Sequence, residues 1–215
     1  MSLHEHNESE RVDDLVARMR AGDTVVLVSD AGTPTVSDPG YPLIKAVVEA
    51  NLPLTVLPGP SAVLVAVAAC GLPLHRWTFV GFLPRKRGAL EKVLSDPHPL
   101  VAFESPRRLA RTLEQLAGMD PDRPVAVCRE LTKTFEQVVR GTAASVRDHF
   151  LATPPLGEIV VVVGQASPRS AIGASVDAVA RLATSGARPR EAAAVVAELT
   201  GLSKNELYDA WLLRR

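Results

Sequence analysis

The chain has 215 residues, enough for one or two domains with a buried core, and its 47% hydrophobic content and mean hydropathy of +0.12 fit a water-soluble α/β protein. Lys and Arg total 24 and Asp and Glu also total 24, which argues against binding to nucleic acid through overall charge but leaves a local basic cleft open. Cys70 and Cys128 stand alone in apolar surroundings, without a CxxC motif or a Cys/His cluster. We therefore expect free thiols, no metal site and a cytoplasmic protein without a signal peptide or membrane span.

The first 75 residues alternate between predicted helices and strands. Apolar residues at helical spacing predict helices over 9–20 and 41–50, and β-branched runs predict strands over 24–29 and 52–57. A segment that is apolar all round follows over 61–70, which is typical of a buried helix. This order of elements predicts right-handed crossovers and a parallel sheet.

A second α/β unit is predicted after a linker at 71–75. Its predicted strands cover 77–82, 100–104, 124–128, 135–141 and 158–164, and its predicted helices cover 86–94, 106–117 and 143–150. Because several strands follow one another from Pro124 onward, we expect a mixed sheet in this unit.

From Ser175 to the end the pattern is helical, in three segments. Ser203 followed by Glu206 predicts a capping box, and the last two segments have helix-turn-helix spacing. This tail either contacts RNA or packs on its own or a partner's core. We therefore expect an N-terminal α/β domain over 1–75, a C-terminal α/β domain over 76–165 and a helical tail over 171–215.

The most informative segment is the loop that follows the predicted strand at 24–29. It reads Asp30-Ala31-Gly32-Thr33-Pro34 and continues as Ser37-Asp38-Pro39-Gly40. Ligand sites in open α/β sheets lie just beyond such strand ends, although an ordinary strand-to-helix connection is the alternative. With these motifs the chain resembles the tetrapyrrole methylase superfamily, which implies two α/β domains with a cleft between them.

The resemblance implies S-adenosylmethionine as the cofactor. In the superfamily, the loop after this strand and the helix start after Pro58-Gly59-Pro60 hold the methionine and ribose portions of that cofactor. The positions that carry this role here are Asp30, Ala31, Gly32, Thr33, Pro34, Ser61 and Ala62. Comparison with the superfamily also places Glu104 and Leu131 where strand-end backbone touches the cofactor.

Three later strand ends carry clusters of cations, in the motifs GFLPRKR, FESPRR and RELTK. Together with Arg140 they are candidates for phosphate contacts in one cleft: Arg85, Lys86, Arg87, Arg107, Arg108 and Arg129. Each cluster alone also fits a solvent-exposed face, and a tetrapyrrole precursor with many carboxylates would favour the same cleft. The order of these motifs and the helical tail resemble the superfamily branch that methylates ribosomal RNA.

That branch implies methyl transfer to the 2′-oxygen of a cytidine in small-subunit (16S) ribosomal RNA. Transfer from a sulfonium is an in-line displacement that depends on positioning, and a ribose hydroxyl gains from a nearby base. The candidate catalytic residues are Glu104 and Glu130 as bases, with Lys133 or Arg129 stabilising a developing alkoxide. The alternative, in which these carboxylates simply pair with adjacent arginines, is equally compatible with the sequence.

The part of the superfamily's pattern that this chain resembles begins after the superfamily's first strand and first cofactor loop. We expect the first strand and the first cofactor loop to be lacking before His4, which would leave one side of the cofactor site open and methyl transfer weak. The bare sheet edge would then favour a homodimer. A methylase of tetrapyrrole precursors and a catalytically impaired fragment of the RNA enzyme are the competing interpretations.

Overall fold

A computed structural model of the protein describes residues 1–4, 7–29 and 32–213. The first helices lie where the sequence predicts them: α1 (Glu8–Arg20), α2 (Tyr41–Glu49) and α3 (Ala62–Ala69). Acidic residues in the first turn of α1 and arginines in its last turn complement the helix dipole. Leu15 of α1 packs against Leu43 and Val47 of α2, so these two helices share a small core.

Two predicted strands of the first unit are not strands in the structure. Segments 24–29 and 52–57 have no β-ladder partner among the described residues, so the prediction of a parallel sheet here is wrong. Their apolar side chains reach solvent, and the most exposed of them are Val26, Val28, Val56 and Leu57. A β-branched run becomes a strand only when a neighbouring strand completes its backbone hydrogen bonds, and the run itself does not supply that neighbour.

The second unit contains the sheet, which within the described residues has five strands. They are β1 (Thr78–Phe82), β2 (Leu100–Glu104), β3 (Pro124–Arg129), β4 (Gln137–Thr142) and β5 (Ile159–Val163). Their spatial order is β1-β2-β5-β3-β4, with β1 and β2 parallel and the other neighbours antiparallel. This confirms the predicted mixed sheet. The central strand β5 is buried along its whole length, and its unbroken run of Ile and Val suits a strand that is covered on both faces.

Helices cover both faces of this sheet. One face is covered by α4 (Arg87–Leu94), α5 (Pro106–Met119) and α6 (Ala143–Ala152). On the opposite face α3 packs through Val63 and Ala66 against the sheet residues Val101, Ala126 and Val162. The result is a three-layer α/β arrangement in which α3, from the first part of the chain, shields the sheet from solvent.

The helical tail has a separate small core. Its helices are α7 (Pro168–Thr184), α8 (Pro189–Thr200) and α9 (Lys204–Leu212), which meet through Val179, Ala193 and Leu207. Ser203 Oγ accepts a hydrogen bond from the backbone N–H of Glu206 at 3.5 Å, which confirms the predicted N-cap. Of the helices described, none is both long and apolar enough to cross a membrane. The division into units at 1–75, 76–165 and 171–215 stays a prediction.

A buried arginine that the sequence did not single out joins the sheet to a loop. Arg123 is 2% exposed, and its guanidinium donates hydrogen bonds of 2.7–3.0 Å to the carbonyl oxygens of Leu94, Asp96, His98 and Gly164. A guanidinium has enough donors in a fixed plane to satisfy several carbonyls at once. Arg123 therefore holds the loop between α4 and β2 against the end of β5.

Candidate active site

A cavity lies where the loop at 32–38, the start of α3 and the ends of β2 and β3 meet. Its volume is about 560 Å³, within the range of roughly 300–1,000 Å³ typical of small-molecule sites. Its lining includes many of the predicted site residues: Gly32, Thr33, Ser61, Ala62, Glu104, Leu131 and Lys133. Apolar side chains complete the wall: Phe82, Phe103, Cys128, Ile159 and Val160.

The two loops predicted to hold the cofactor lie side by side. Thr33 Oγ1 donates a hydrogen bond of 3.1 Å to the carbonyl oxygen of Pro60, which fixes the first loop against the second. Gly32 has a φ of +87°, and, apart from its chain neighbours, a Cβ added there would meet no atom of the described residues within 4 Å. The space beside Gly32 is therefore open for a ligand. Asp30 and Ala31 lie outside the described residues, and Pro34 is not among the residues that line the cavity.

The start of α3 supplies backbone donors to the same cavity. Ser61 is the N-cap residue, and its Oγ accepts a hydrogen bond from the N–H of Leu64 at 3.4 Å. The other N–H groups of a first helical turn have no acceptor inside the helix. Because Ser61 and Ala62 line the cavity, these donors suit an anionic group such as a carboxylate.

Glu104 is occupied by structural contacts. Its Oε1 accepts a hydrogen bond of 2.6 Å from the N–H of Ser105 and pairs with the guanidinium of Arg108. Its Oε2 accepts a hydrogen bond of 2.6 Å from the hydroxyl of Thr112, and the side chain has no exposed surface. A general base needs an oxygen within reach of the substrate proton. The geometry therefore argues against the hypothesis that Glu104 is the base and supports the alternative of a carboxylate paired with an adjacent arginine.

The loop after β3 is shaped by its own hydrogen bonds. Glu130 and Thr132 both adopt left-handed backbone conformations, with φ of 50° and 65°. Such strained residues persist only where surrounding contacts hold them, and they cluster at functional sites. Here the N–H of Thr132 donates to Glu136 Oε2 at 2.6 Å, and the N–H of Lys133 donates to the carbonyl of Glu130 at 3.0 Å. The loop therefore presents Lys133 to the cavity from a defined backbone.

Two carboxylates hold the ammonium group of Lys133 at the cavity wall. Its Nζ lies 3.1 Å from Glu130 Oε1 and 3.0 Å from Glu158 Oε2. Hydrogen bonds to Glu158 and Glu130 raise the pKa of Lys133, so its ammonium form is favoured. Hydrogen bonds from the N–H of Glu158 and from Lys133 lower the pKa of Glu130. Glu130 is therefore a weak proton acceptor, whereas Lys133 keeps its ammonium form and uses two of its three N–H donors on the two carboxylates.

The predicted phosphate-binding cations fall into two groups. The side chains of Arg85, Lys86, Arg87 and Arg107 are exposed and make no hydrogen bond or ion pair with another described residue. Two others are engaged: Arg108 donates to Leu83 O at 3.0 Å besides pairing with Glu104, and Arg129 contacts Gln137 Oε1 and Leu156 O. Of these six cations, only the exposed group offers charge that phosphates could use without breaking an existing interaction.

Arg140, also a candidate for the basic cleft, serves a different role. Its guanidinium donates to the carbonyl oxygens of Cys70 and Ala69 at 3.1 and 2.5 Å. These carbonyls lie at the C-terminal end of α3, opposite the end that lines the cavity. A cation there complements the helix dipole, so the geometry of Arg140 does not support a phosphate contact in the cavity.

Sequence reasoning missed Glu158 and Phe82 as site residues. Glu158 immediately precedes β5, and its carboxylate becomes a partner of Lys133 only because β5 lies beside β3 in the sheet. Phe82 lies inside the motif GFLPRKR, of which only the three cations were predicted to have a role. Its side chain lines the cavity, and the residue is 60% exposed.

Comparisons with known proteins agree with this architecture. The family described as Tetrapyrrole (Corrin/Porphyrin) Methylases matches residues 2–147, and the domain described as the RsmI C-terminal HTH domain matches residues 170–215. The chain belongs to the tetrapyrrole methylase family. The second match confirms the helix-turn-helix interpretation of the tail.

Curated relatives indicate which branch of the tetrapyrrole methylase family this chain is similar to. Ribosomal RNA small subunit methyltransferase I of Mycobacterium tuberculosis is 42% identical over 224 residues, covering 100% of this chain and 77% of the relative. The enzyme of the same name from Mesorhizobium japonicum is 42% identical over 213 residues, covering 96% and 72%. That from Streptococcus pyogenes serotype M1 is 36% identical over 217 residues, covering 97% and 76%. The predicted resemblance to the ribosomal RNA branch is confirmed.

Solved structures of tetrapyrrole methylases share the fold. The methyltransferase CobJ superposes with a TM-score of 0.55 at 27% identity, covering 74% of this chain and 71% of that one. Uroporphyrin-III C-methyl transferase from Thermus thermophilus, complexed with S-adenyl homocysteine, gives a TM-score of 0.51 at 21% identity, covering 74% and 73%. The α/β fold class predicted from the sequence is confirmed.

Proposed function

We propose that this protein transfers a methyl group from S-adenosylmethionine to the 2′-oxygen of a cytidine in the RNA of the small ribosomal subunit. The main support for the proposal is a single cavity that is lined both by the two cofactor-type loops and by Lys133, whose ammonium is held by two carboxylates. The relatives that match nearly the whole chain bear the name ribosomal RNA small subunit methyltransferase I, which supports the RNA substrate.

The cavity suits S-adenosylmethionine in size and chemistry. Open space beside Gly32 admits a ligand against the backbone, and the start of α3 at Ser61 and Ala62 provides donors for a carboxylate. Thr33 and Leu131 supply a hydroxyl and an apolar wall, and Asp30 and Ala31 directly precede Gly32 in sequence. When bound, the cofactor supplies an activated methyl group on a sulfonium.

Within this cavity the protein's own residues act mainly by position and charge. Glu130 and Glu158 take two of the three ammonium donors of Lys133, and the third donor stabilises negative charge that develops on the ribose oxygen or resides on a flanking phosphate. Glu130 and Glu158 hold its ammonium in place, and the lowered pKa of Glu130 keeps that carboxylate ionised. Glu104 has a structural role, because its hydrogen bonds with Ser105 and Thr112 fix the end of β2 to α5.

Phosphates of the RNA are proposed to contact the exposed cations that follow two cavity-lining residues. Arg85, Lys86 and Arg87 come just after Phe82, and Arg107 comes directly after Pro106. Contacts of this kind position the substrate without reading its sequence. The balanced overall charge of the chain makes such local cations the main electrostatic attraction for RNA.

A labelling experiment tests the function. The 215-residue chain is incubated with methyl-labelled S-adenosylmethionine and small ribosomal subunits from cells that lack the enzyme, and the RNA is digested to nucleosides for mass spectrometry. We expect the label in 2′-O-methylcytidine. Label on a base would overturn the proposed acceptor atom. Label on a tetrapyrrole precursor, supplied in parallel, would overturn the RNA substrate.

We further propose a homodimer that acts in the cytoplasm. Exposed apolar side chains on segments 24–29 and 52–57 support an interface with another copy, because such surfaces are uncommon on monomers. The cytoplasm follows from the proposed substrate, since bacterial ribosomal subunits reside there. Sedimentation equilibrium tests the dimer: a mass of one chain at micromolar concentration would overturn it.

A further inference from the structure

Phe82 is an aromatic ring that the proposed chemistry leaves unused. It lines the cavity and is 60% exposed, although a phenyl ring gains free energy from burial. The ring is supported from one side, because its centroid lies 5.3 Å from that of Phe103 at an interplanar angle of 52°. Phe103 in turn packs edge-to-face on Phe79, with centroids 5.2 Å apart. An exposed ring that packs on Phe103, which is itself packed on Phe79, is a supported platform.

A β-bulge places Phe82 in this position. Phe79 pairs with Val101 and Phe82 pairs with Phe103, so β1 advances three residues while β2 advances two. Residues three apart on a regular strand point to opposite faces, and the extra residue of the bulge brings Phe79 and Phe82 to the same face. Gly81 has a φ of +65°, a backbone conformation that glycine adopts at little cost.

The chain directly after Phe82 carries a cluster of positive charge. Leu83 is buried, and its carbonyl accepts a hydrogen bond from Arg108, which anchors the segment directly after the ring. The exposed cations at 85–87 then follow within five residues. An aromatic platform beside unpaired cations is the combination that proteins use to bind an unstacked nucleobase together with its phosphates.

We infer that Phe82 stacks on the base of the nucleotide whose ribose is methylated, an inference that rests on the proposed RNA substrate. A nucleotide that leaves the base stack can bring its ribose into the cavity, and the freed base then needs a new surface. Phe82 lies at the edge of the cavity that contains Lys133, and its ring is available to cover that base. Stacking selects an unpaired nucleotide and tolerates any base, so the contact favours accessible over paired positions.

The test compares three substitutions of Phe82 with a control. Phe82→Ala removes the ring, Phe82→Leu keeps apolar bulk without a ring, and Phe82→Trp keeps a stacking surface. Phe135→Ala is the control, because Phe135 is 70% exposed but is not among the residues that line the cavity. Each protein is titrated into S-adenosylhomocysteine by calorimetry and into a single-stranded RNA that carries pyrrolocytidine, whose fluorescence reports stacking.

We expect Phe82→Ala and Phe82→Leu to weaken RNA binding by about tenfold and to lose the pyrrolocytidine signal, a larger loss than any change in the affinity for S-adenosylhomocysteine. Phe82→Trp should restore both RNA readouts, and Phe135→Ala should match the parent. Equal RNA binding by the parent and Phe82→Ala would overturn the stacking role alone. A parent that binds S-adenosylhomocysteine but no RNA would overturn the proposed function and the stacking with it.

Discussion

Thr33 donates a hydrogen bond of 3.1 Å to the carbonyl oxygen of Pro60, across 27 positions of the chain. This contact turns two loops that are distant in sequence into one wall of the cavity. It leaves the backbone at Gly32 facing open space and the start of α3 facing the same space. The wall therefore depends on backbone shape more than on particular side chains.

Bulk added at Gly32 should obstruct the cofactor. We expect Gly32→Val to weaken binding of S-adenosylmethionine at least about tenfold, equivalent to about 1.4 kcal/mol, because the side chain enters the open space. Calorimetric titration measures this affinity. Gly186→Val is the matched control, because Gly186 also has a positive φ and open surroundings but lies in the tail. Equal affinity in both variants would place the cofactor elsewhere.

The exposed cations should govern how salt weakens RNA binding. Replacement of each of Arg85, Lys86, Arg87 and Arg107 by Gln should reduce the slope of log K against log salt by about 0.7 for every phosphate that the variant no longer neutralises. Filter binding from low to moderate salt measures the slope. Lys45→Gln and Arg147→Gln serve as controls, since both cations already pair with carboxylates. An unchanged slope would identify the four residues as an ordinary solvent-exposed face.

Lys133 should matter for turnover more than for cofactor binding. We expect Lys133→Met to lower kcat by about a hundredfold, comparable to the loss of one charge-stabilising donor, and Lys133→Arg to retain more activity. Transfer assays at saturating substrate measure this difference. Glu91→Gln, on the exposed face of α4, is the control. A Lys133→Met enzyme with the parent's kcat would remove Lys133 from the chemistry.

The ion pair at Lys133 should persist across the neutral pH range. Glu130 has a lowered pKa, so its stabilising contribution is present above the ordinary value and is lost only as pH falls through the lowered value. Lys133 has a raised pKa, so its contribution is lost only as pH rises through that raised value. Neither group should produce an inflection in kcat between about pH 6 and pH 9. An inflection that disappears in Glu130→Gln would contradict this assignment.

Glu104 should be important for stability. Glu104→Ala would leave Arg108 and Thr112 without their buried partner, and removal of one member of a buried pair costs about 3–5 kcal/mol. Urea denaturation measures the loss, provided that the slope of the transition is unchanged. Glu91→Ala, in which an exposed carboxylate is removed, should change stability by less than about 0.5 kcal/mol. Similar midpoints for the two variants would show that the Glu104 contacts contribute little.

Cys128 should make stability fall in alkaline solution. Burial raises the pKa of its thiol from 9.0 to about 11, so between these values the unfolded chain loses a proton that the folded chain keeps. The free energy of unfolding should therefore decrease with rising pH, by up to about 1.4 kcal/mol per pH unit from this group. Denaturation of the parent and of Cys128→Ala from about pH 8 to pH 11 isolates this contribution. Parallel curves would contradict it.

The sequence predicted the positions of helices and strands better than it predicted which strands pair with one another. Helical periodicity placed α1, α2 and α5 correctly, and apolar runs placed the strands β2 and β5. The same apolar signal at 24–29 and 52–57 predicted strands that the structure does not contain among its described residues, because hydrophobicity does not supply a hydrogen-bonded neighbour.

The sequence was limited in the same way for the candidate site, because it did not reveal which charged residues pair with one another. Sequence motifs indicated which cations lie at strand ends, but Arg85 and Arg108 look alike in sequence. Only three-dimensional contacts reveal that Arg108 is occupied by Glu104 and that Arg85 is exposed without a described partner. Glu158 escaped detection for a related reason, since its partner Lys133 is 25 positions away and is brought close by the sheet.

The position of β5 has a consequence for the order of events during synthesis. Of the strands in the sheet, β5 comes latest in the chain, yet it separates β1–β2 from β3–β4. Until residue 163 has left the ribosomal exit tunnel, the nascent chain holds two strand pairs whose inner edges are unpaired. Such edges are prone to associate with other chains, and domains are completed only when their non-local contacts become available. A nascent protein that exposes these edges until its last strand emerges is a natural client for chaperones that bind at the tunnel mouth.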